Sequence, residues 1–186
     1  NSHVKYVEKP YGSGDGKGSR IMNPETIVNV GENSFMEMET VQIRGVDSTK
    51  RENRAHLKAG AKLVVMERLM THGKQKAESW FDVQLDGEDS SANIVSRSVA
   101  RDESWQLFQS HISGNTRCSG HTECDAIIME NAKISAVPQL TANHVDAALI
   151  HEAAIGKIAG EQLIKLMTLG LTEAEAEEQI ISGFLK

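Results

Sequence analysis

The amino-acid sequence predicts a mainly β protein that ends in α-helices. From about residue 25 onward, short runs rich in Val, Ile, Thr and aromatic residues alternate with the two-residue period of a strand. Turn residues separate these runs at intervals of roughly a dozen residues. After about residue 157 the apolar residues change to helical spacing. These observations divide the chain into residues 1–24, a β core over 25–157 and a helical segment over 158–186.

Composition limits the classes of function. The chain has 186 residues, enough for one domain with its own core, and a formal net charge of -6. This charge argues against binding to nucleic acid or to a membrane surface, because both need clustered Lys and Arg. The two cysteines are too close together for a disulfide scaffold, and no apolar run predicts a membrane span or signal peptide. We therefore expect a cytoplasmic protein, and the missing initiator Met suggests a fragment.

The segment over 1–24 contains a glycine-rich stretch at residues 11–19, which we interpret as a flexible loop. A phosphate-binding P-loop requires Gly-Lys followed by Ser or Thr, but here Lys17 is followed by Gly18. The dinucleotide-binding pattern of three spaced glycines also fails at each glycine of the stretch.

The β core contains five clear strand candidates separated by turn signals. Even spacing of short strands fits a sandwich, a barrel or a β-solenoid. Self-similarity between the runs is weak, so periodicity alone leaves these three architectures open. The candidates cover residues 40–46, 61–68, 79–85, 93–99 and 104–112.

Two tandem helices are predicted for the segment over 158–186. Gly170 provides a C-terminal cap for the first, and Thr172 with Glu175 forms a capping box for the second. The second helix has an apolar stripe that requires a partner surface, either its own β domain or another protein. The apolar positions are Ala159, Leu163, Leu166 and Met167 in the first helix, and Ala176, Ile180 and Phe184 in the second.

The chemically distinctive residues are Cys118, His121 and Cys124 in one short stretch, and the pair His151 and Glu152 further on. Thiolate, imidazole and carboxylate groups suit zinc or iron. On a strand, however, the two cysteines would share one face while the histidine points to the other, unless a turn intervenes at 119–120. Other interpretations are a thiol nucleophile paired with a histidine, and cysteines that simply fill the core.

Several tracts resemble the SufB/SufD family of iron-sulfur cluster assembly proteins. They cover about half of the chain in the order found in the family: residues 91–100, 120–129, 136–140, 151–163 and 170–184. The resemblance implies a right-handed parallel β-helix followed by C-terminal helices. Among the three architectures left open by periodicity, it selects the solenoid.

The resemblance also implies a function and partners. Members of the family are non-enzymatic scaffolds for a transient iron-sulfur cluster, and they bind a SufC-like ABC ATPase through the helical end. They pair through the β-helix, here as a homodimer or with a SufB/SufD-like paralogue, and a sulfur donor protein is a further possible partner. The alternatives are a structural SufD-like subunit without its own cluster and a polysaccharide-active β-helix protein, which the aromatic content of 4% disfavours.

The resemblance assigns site residues one by one. Cys124 falls on the Cys-Asp motif, implicated as sulfur acceptor and cluster ligand, while His151 and Glu152 fall on the His-Glu motif near the pairing interface. The implied metal and cluster ligands are therefore these three residues, with Cys118 and His121 as auxiliaries. Members of the SufB type carry a second cysteine deeper in the β-helix, whereas this chain has none before Cys118. We therefore expect a short SufB-like form.

Overall fold

The protein consists of two parallel β-sheets that enclose a common core and are followed by two helices. A computed structural model of the chain describes residues 1–10, 18–43 and 45–186. The strands are β1 His3–Glu8, β2 Ile21–Met22, β3 Glu25–Val30, β4 Phe35–Gln42, β5 Ser48–Leu57, β6 Lys62–Thr71, β7 Lys76–Leu85, β8 Ser91–Ala100, β9 Trp105–Gly114, β10 Cys118–Ile128, β11 Lys133–Ala142 and β12 Ala147–Gly156. The helices are α1 Gly160–Met167 and α2 Glu173–Phe184.

The strands are wound as a solenoid. From β4 onward, successive strands enter opposite sheets, and each pairs in parallel with the strand two positions along the chain. The first sheet has the order β1-β4-β6-β8-β10-β12, and the second contains β2, β3, β5, β7, β9 and β11. Side chains that hydrogen-bond between neighbouring coils are typically 28 or 29 residues apart. The predicted β-solenoid is therefore confirmed, and the sandwich and barrel are excluded.

The core lies between the two sheets and is built from alternate residues of each strand. In β6 and β7 every second side chain is buried, as the two-residue period predicts. Phe81 and Phe108 on the second sheet pack with ring centroids 5.8 Å apart, facing residues such as Ile94 on the first sheet. This burial of apolar surface stabilises the stack of coils.

Left-handed backbone conformations recur at two corners of the solenoid. Asn33, Gly60 and Asp89 have φ values of 51°, 63° and 57° at one corner, and the backbone N–H groups of the first two donate to residues of the following coil. At this corner the backbone also approaches closely, because a Cβ atom on Gly87 would lie 1.9 Å from the backbone nitrogen of Ala59. Gly87 is therefore required because there is no room for a side chain. The left-handed conformation of the turn favours Asn, Gly and Asp at positions 33, 60 and 89.

Four of the five predicted strands overlap β6, β7, β8 and β9, while the fifth, predicted at 40–46, overlaps only the end of β4. The charged strand β5 was missed. The segment 1–24 contains β1 and β2, and β1 pairs with β4, so the sheets begin before the predicted position 25. Of the glycine-rich loop predicted at 11–19, residues 11–17 lie outside the described residues.

The second helix packs against the solenoid. Ala176 and Ile181 are buried, and Ile181 contacts a small apolar cluster that includes Val99 and Met129. The predicted capping box is confirmed, since the Glu175 backbone N–H donates to the Thr172 hydroxyl over 3.3 Å. The apolar stripe of α2 is therefore covered by its own β domain. Ile181 fills the buried position instead of the predicted Ile180.

The first helix leaves part of its apolar surface in solvent, although Leu163 and Leu166 are half-buried. It is strongly amphipathic in sequence but has no buried residue, and Ile164 is 63% exposed. Leu169, just beyond its end, is 75% exposed. Among the described residues, no helix combines the length and apolar character needed to cross a membrane. The exposed apolar side of α1 is thus an uncovered surface next to the end of the solenoid.

Candidate functional site

Cys124 lies inside the solenoid near its C-terminal end. It occupies the middle of β10, with Ser96 of β8 and Ala153 of β12 beside it in register, and only 1% of the residue is exposed. The pKa of the Cys124 thiol is raised to about 12. Burial is the largest cause, and the nearby charges of Glu67 and Asp125 contribute to the same shift. In the isolated chain the thiol is therefore protonated at neutral pH.

A buried carboxylate lies in the same interior row as Cys124. Glu67 on β6 is in register with Ser96, which is in register with Cys124 on its other side. Glu67 accepts hydrogen bonds from the hydroxyls of Ser79 at 2.5 Å and Ser96 at 2.7 Å. A cavity of about 10 Å³ adjoins these groups, about the volume that one water molecule needs. The interior next to the thiol is therefore polar.

His151 approaches the interior from the last strand. It is in register with Thr122 of β10, two residues from Cys124 on the same face. Strand spacing places the backbones of His151 and Cys124 about 8 Å apart. The Nδ1 atom of His151 is one of three buried side-chain atoms without a hydrogen-bond partner in the described part of the chain. Such atoms are rare in folded proteins, and this nitrogen is therefore a candidate ligand atom.

Glu152 lies on the opposite face of β12 from His151. Because neighbouring residues of a strand point to opposite sides, its carboxylate projects outward and approaches His121, with Oε2 lying 3.7 Å from the imidazole Nε2. The predicted trio of Cys124, His151 and Glu152 is therefore split by the sheet. The first two are on its inner side, and the third is on its outer side.

His121, Glu123 and Glu152 form what we call the outer cluster. One ligand atom from each lies within 4.8 Å of the other two. Asn93 Oδ1 lies 2.8 Å from His121 Nδ1, so the tautomer that carries its proton on Nδ1 makes this hydrogen bond and turns its Nε2 lone pair toward the carboxylates. A hydrogen bond with Asp125 raises the pKa of Glu123, with partial burial and the Asp125 charge adding to the effect. The cluster thus combines one oriented imidazole with crowded negative charge.

Cys118 is separate from the other candidate ligands. It is buried at the start of β10, where burial raises the pKa of its thiol. Residues 118–128 form one continuous strand, so no turn brings His121 to the face shared by Cys118 and Cys124. The two cysteines are six positions apart, which corresponds to about 20 Å along a strand. The three residues therefore form no common metal site, as strand alternation predicts.

The candidate residues lie beside the open end of the solenoid. We call the last turn of the solenoid, which consists of β11 and β12, the terminal coil. Within the described residues, β11 pairs only with β9 and β12 only with β10. Val137 on β11 and Ile150 and Ile155 on β12 are exposed apolar residues there. Unpaired backbone groups and exposed apolar side chains together make this edge suited to pairing with another chain.

Comparison with known families identifies the type of protein. The model of the SUF system FeS cluster assembly, SufBD core domain, matches residues 2–184. The chain belongs to the SufB/SufD family. This SufBD core domain is also similar to curated proteins named as iron-sulfur cluster assembly SufBD family proteins.

Three of the similar SufBD proteins come from species of Methanothermobacter, Pyrococcus and Archaeoglobus. Identity is 34% over 170 residues with a protein of Methanothermobacter thermautotrophicus strain Winter, covering 88% of this chain and 41% of the relative. Identity is also 34% over 164 residues with a protein of Pyrococcus horikoshii, covering 87% of this chain and 41% of the relative. Identity with a protein of Archaeoglobus fulgidus is 29% over 167 residues, covering 89% of this chain and 45% of the relative. The SufBD core domain therefore spans less than half the length of these relatives.

Sequence reasoning missed two residues of this SufBD site. Glu67 was available from strand alternation, because it follows Leu63 and Val65 at the inward positions of β6. Glu123 was available from the same rule, two residues after His121 on the outward side of β10. What the sequence did not contain was the register that places Glu152 next to Glu123.

Proposed function

We propose that this SufBD-family chain is a non-enzymatic scaffold subunit on which an iron-sulfur cluster is assembled as cargo. The observation that carries the proposal is that Cys124 on β10 and His151 on the adjoining strand β12, with its partnerless Nδ1, share the inner side of the first sheet. Thiolate and imidazole are ligands that iron-sulfur clusters use. The buried surroundings protect such a cargo from water until it is transferred.

The raised pKa of Cys124 determines how the scaffold works. Because the thiol is protonated at neutral pH, it becomes a ligand only when iron displaces its proton. The Glu67 carboxylate on the same interior row accepts a hydrogen bond from Ser96, the residue in register with Cys124, and keeps the surroundings of the thiol polar. Ligation by this thiol is therefore favoured by a change in its surroundings at the terminal coil.

Pairing at the terminal coil provides that change. A second copy of the chain, or a SufB/SufD-like paralogue, would cover the exposed side chains of β11 and β12 and extend the sheets across the interface. Ligands from both chains would then surround one cargo. A sulfur donor protein would deliver to the same edge before it closes.

The uncovered side of α1 is the proposed contact for a SufC-like ABC ATPase. Ile164 and Leu169 are exposed there, while α2 anchors the helical segment to the solenoid through Ile181. ATP hydrolysis by this partner would move the helices and, through them, the adjoining terminal coil. A cytoplasmic location would suit this role, because cysteines stay reduced there.

Anaerobic reconstitution with ferrous iron and sulfide tests the proposal. The visible absorption of a thiolate-bound cluster should appear with the wild-type chain and fall several-fold in Cys124→Ala. Cys118→Ala is the matched control, since it removes the other buried thiol and should leave the absorption intact. Equal absorption in both variants would refute the ligand assignment.

The same reconstitution separates the second candidate, a SufD-like subunit that carries no cluster of its own. The deep burial of Cys124 favours this candidate, because a thiol with a pKa of about 12 is a poor ligand until its surroundings change. In that case no visible band would form in the wild-type chain, while the purified chain would still bind the ATPase.

A further inference from the structure

We propose that the outer cluster of His121, Glu123 and Glu152 is a mononuclear site for a divalent transition-metal ion, on the opposite side of the sheet from Cys124. Its ability to bind a metal stands independently of the proposed scaffold function. Metal binding and the scaffold function are therefore tested by different measurements.

The geometry supplies three converging ligands from two paired strands. His121 and Glu123 are two residues apart on the outward side of β10, and Glu152 is in register with Glu123 on β12. One ligand atom of each lies within 4.8 Å of the others, and His121 Nε2 is already 3.7 Å from Glu152 Oε2. Ligand atoms bound at about 2.1 Å to one metal lie roughly 3 to 3.5 Å apart. Small rotations of the two carboxylates suffice to reach that separation.

The imidazole is already oriented for this task. The Nδ1 of His121 is held by Asn93 Oδ1 at 2.8 Å, and Asn93 lies beside it in register on β8. Metal-binding histidines commonly donate their other ring nitrogen to such an acceptor, which fixes the ring and the lone pair that binds. Asn93 is therefore a positioning residue for the site.

Charge and access both favour a cation. Glu123, Glu152 and the neighbouring Asp125 place three carboxylates near one another, with Arg97 as the cationic neighbour in register with Asp125. A divalent ion would relieve their repulsion. The combination of one imidazole with two carboxylates suits ions such as Fe²⁺, Mn²⁺, Co²⁺ or Zn²⁺ better than the oxygen-only preference of Mg²⁺ and Ca²⁺.

A shallow groove leads to the site across the outer face of the first sheet. It encloses about 380 Å³, and its lining includes Phe35, Val64 and Ile150 together with Asn93 and His121. Its open mouth allows exchange of hydrated ions. Because β10 itself separates His121 and Glu123 from Cys124, the metal would be bound without any thiolate ligand.

Titration of the metal-free chain with Co²⁺ tests the inference without sulfide. Calorimetry should find one ion per chain, with affinity at least 10-fold weaker in His121→Asn, Glu123→Gln and Glu152→Gln. The visible spectrum should show only weak ligand-field bands, because thiolate ligation would add intense charge-transfer absorption. Circular dichroism of each variant should remain that of the wild type, and Asn93→Ala should weaken binding less than His121→Asn does.

Two controls fix the meaning of the result. The first control is His56 on β5, an exposed histidine of the second sheet that lies 3.3 Å from Asp86 and forms a histidine–carboxylate pair. His56→Asn should leave Co²⁺ affinity unchanged. Cys124→Ala should also leave it unchanged. Unchanged affinity in the three ligand variants, or a comparable loss in Cys124→Ala, would overturn the inference. A wild-type chain that binds Co²⁺ but forms no cluster on reconstitution would instead count against the scaffold function alone.

Discussion

The buried thiol of Cys124 should make the stability of the protein fall at alkaline pH. Its pKa is about 12 in the folded chain, against 9.0 for an ordinary cysteine, because burial disfavours the thiolate. Above pH 9 the unfolded chain therefore releases the proton while the folded chain retains it. The free energy of unfolding must then decrease as pH rises through the window between these two values.

The size of this decrease follows from the two pKa values. Each pH unit between them costs about 1.4 kcal/mol, and the full window corresponds to roughly 4 kcal/mol. Between pH 9 and pH 10.5, Cys124 alone should lower the free energy of unfolding by about 1.6 kcal/mol. In Cys124→Ala this contribution is absent, although the cavity left by the sulfur lowers stability by a pH-independent amount.

Urea denaturation of the wild type and Cys124→Ala across this pH range measures the effect. The difference between the two curves should change by about 1.6 kcal/mol from pH 9 to pH 10.5, while contributions from lysines and tyrosines cancel. Cys118→Ala in both backgrounds removes the contribution of the second buried thiol. A difference that stays constant with pH would refute the buried, protonated state of Cys124.

Two further predictions concern the corners of the solenoid and the helical end. Gly87→Ala should lower the free energy of unfolding by about 3 kcal/mol or more, because its Cβ would lie 1.9 Å from the Ala59 nitrogen. Gly73 has a φ of 60° but open space around it, so Gly73→Ala should lower the free energy of unfolding by only about 1 kcal/mol. Thermal denaturation of the two variants would compare these losses. Ile164→Asp on α1 should abolish binding of a purified SufC-like ATPase in calorimetry, whereas Val145→Asp, which is even more exposed but lies on the β11–β12 turn, should not. Retained binding in Ile164→Asp would exclude the α1 surface.

The regular part of the fold was readable from the sequence because its inward positions are apolar. In β6, Leu63, Val65 and Leu69 alternate with outward residues, so the two-residue period is clear. The capping box at Thr172 and Glu175 was equally readable because it is local. Patterns confined to one element need no knowledge of the tertiary structure.

Strand β5 was missed because its inward positions include Thr49, Arg51 and Asn53. Arg51 is buried only because Glu8 of β1 accepts its hydrogen bond at 2.8 Å from 43 residues away. A charged residue with so distant a partner gives no apolar signal in its own strand. Tertiary pairing here overrides the local pattern.

The grouping of the site residues depended on register. The sequence identified Cys124, His151 and Glu152, but whether they share one face is set by strand alternation and by how β12 pairs with β10. That pairing puts Glu152 beside Glu123 and His151 beside Thr122. With weak similarity between coils, no property of a single strand could have specified it.

The one-sided pairing of the terminal coil gives β12 a distinct place in the stability of the molecule. In a stack of repeats each unit is held mainly by its neighbours, so a unit with one neighbour opens at lower free energy than the interior coils. His151 and Glu152 therefore belong to a segment whose amide hydrogens should exchange early, ahead of those in β7 and β8. Any chain that adds a strand along β12 raises the free energy of this local opening. Order in the site and occupancy of the edge are consequently coupled, and each favours the other by the same factor.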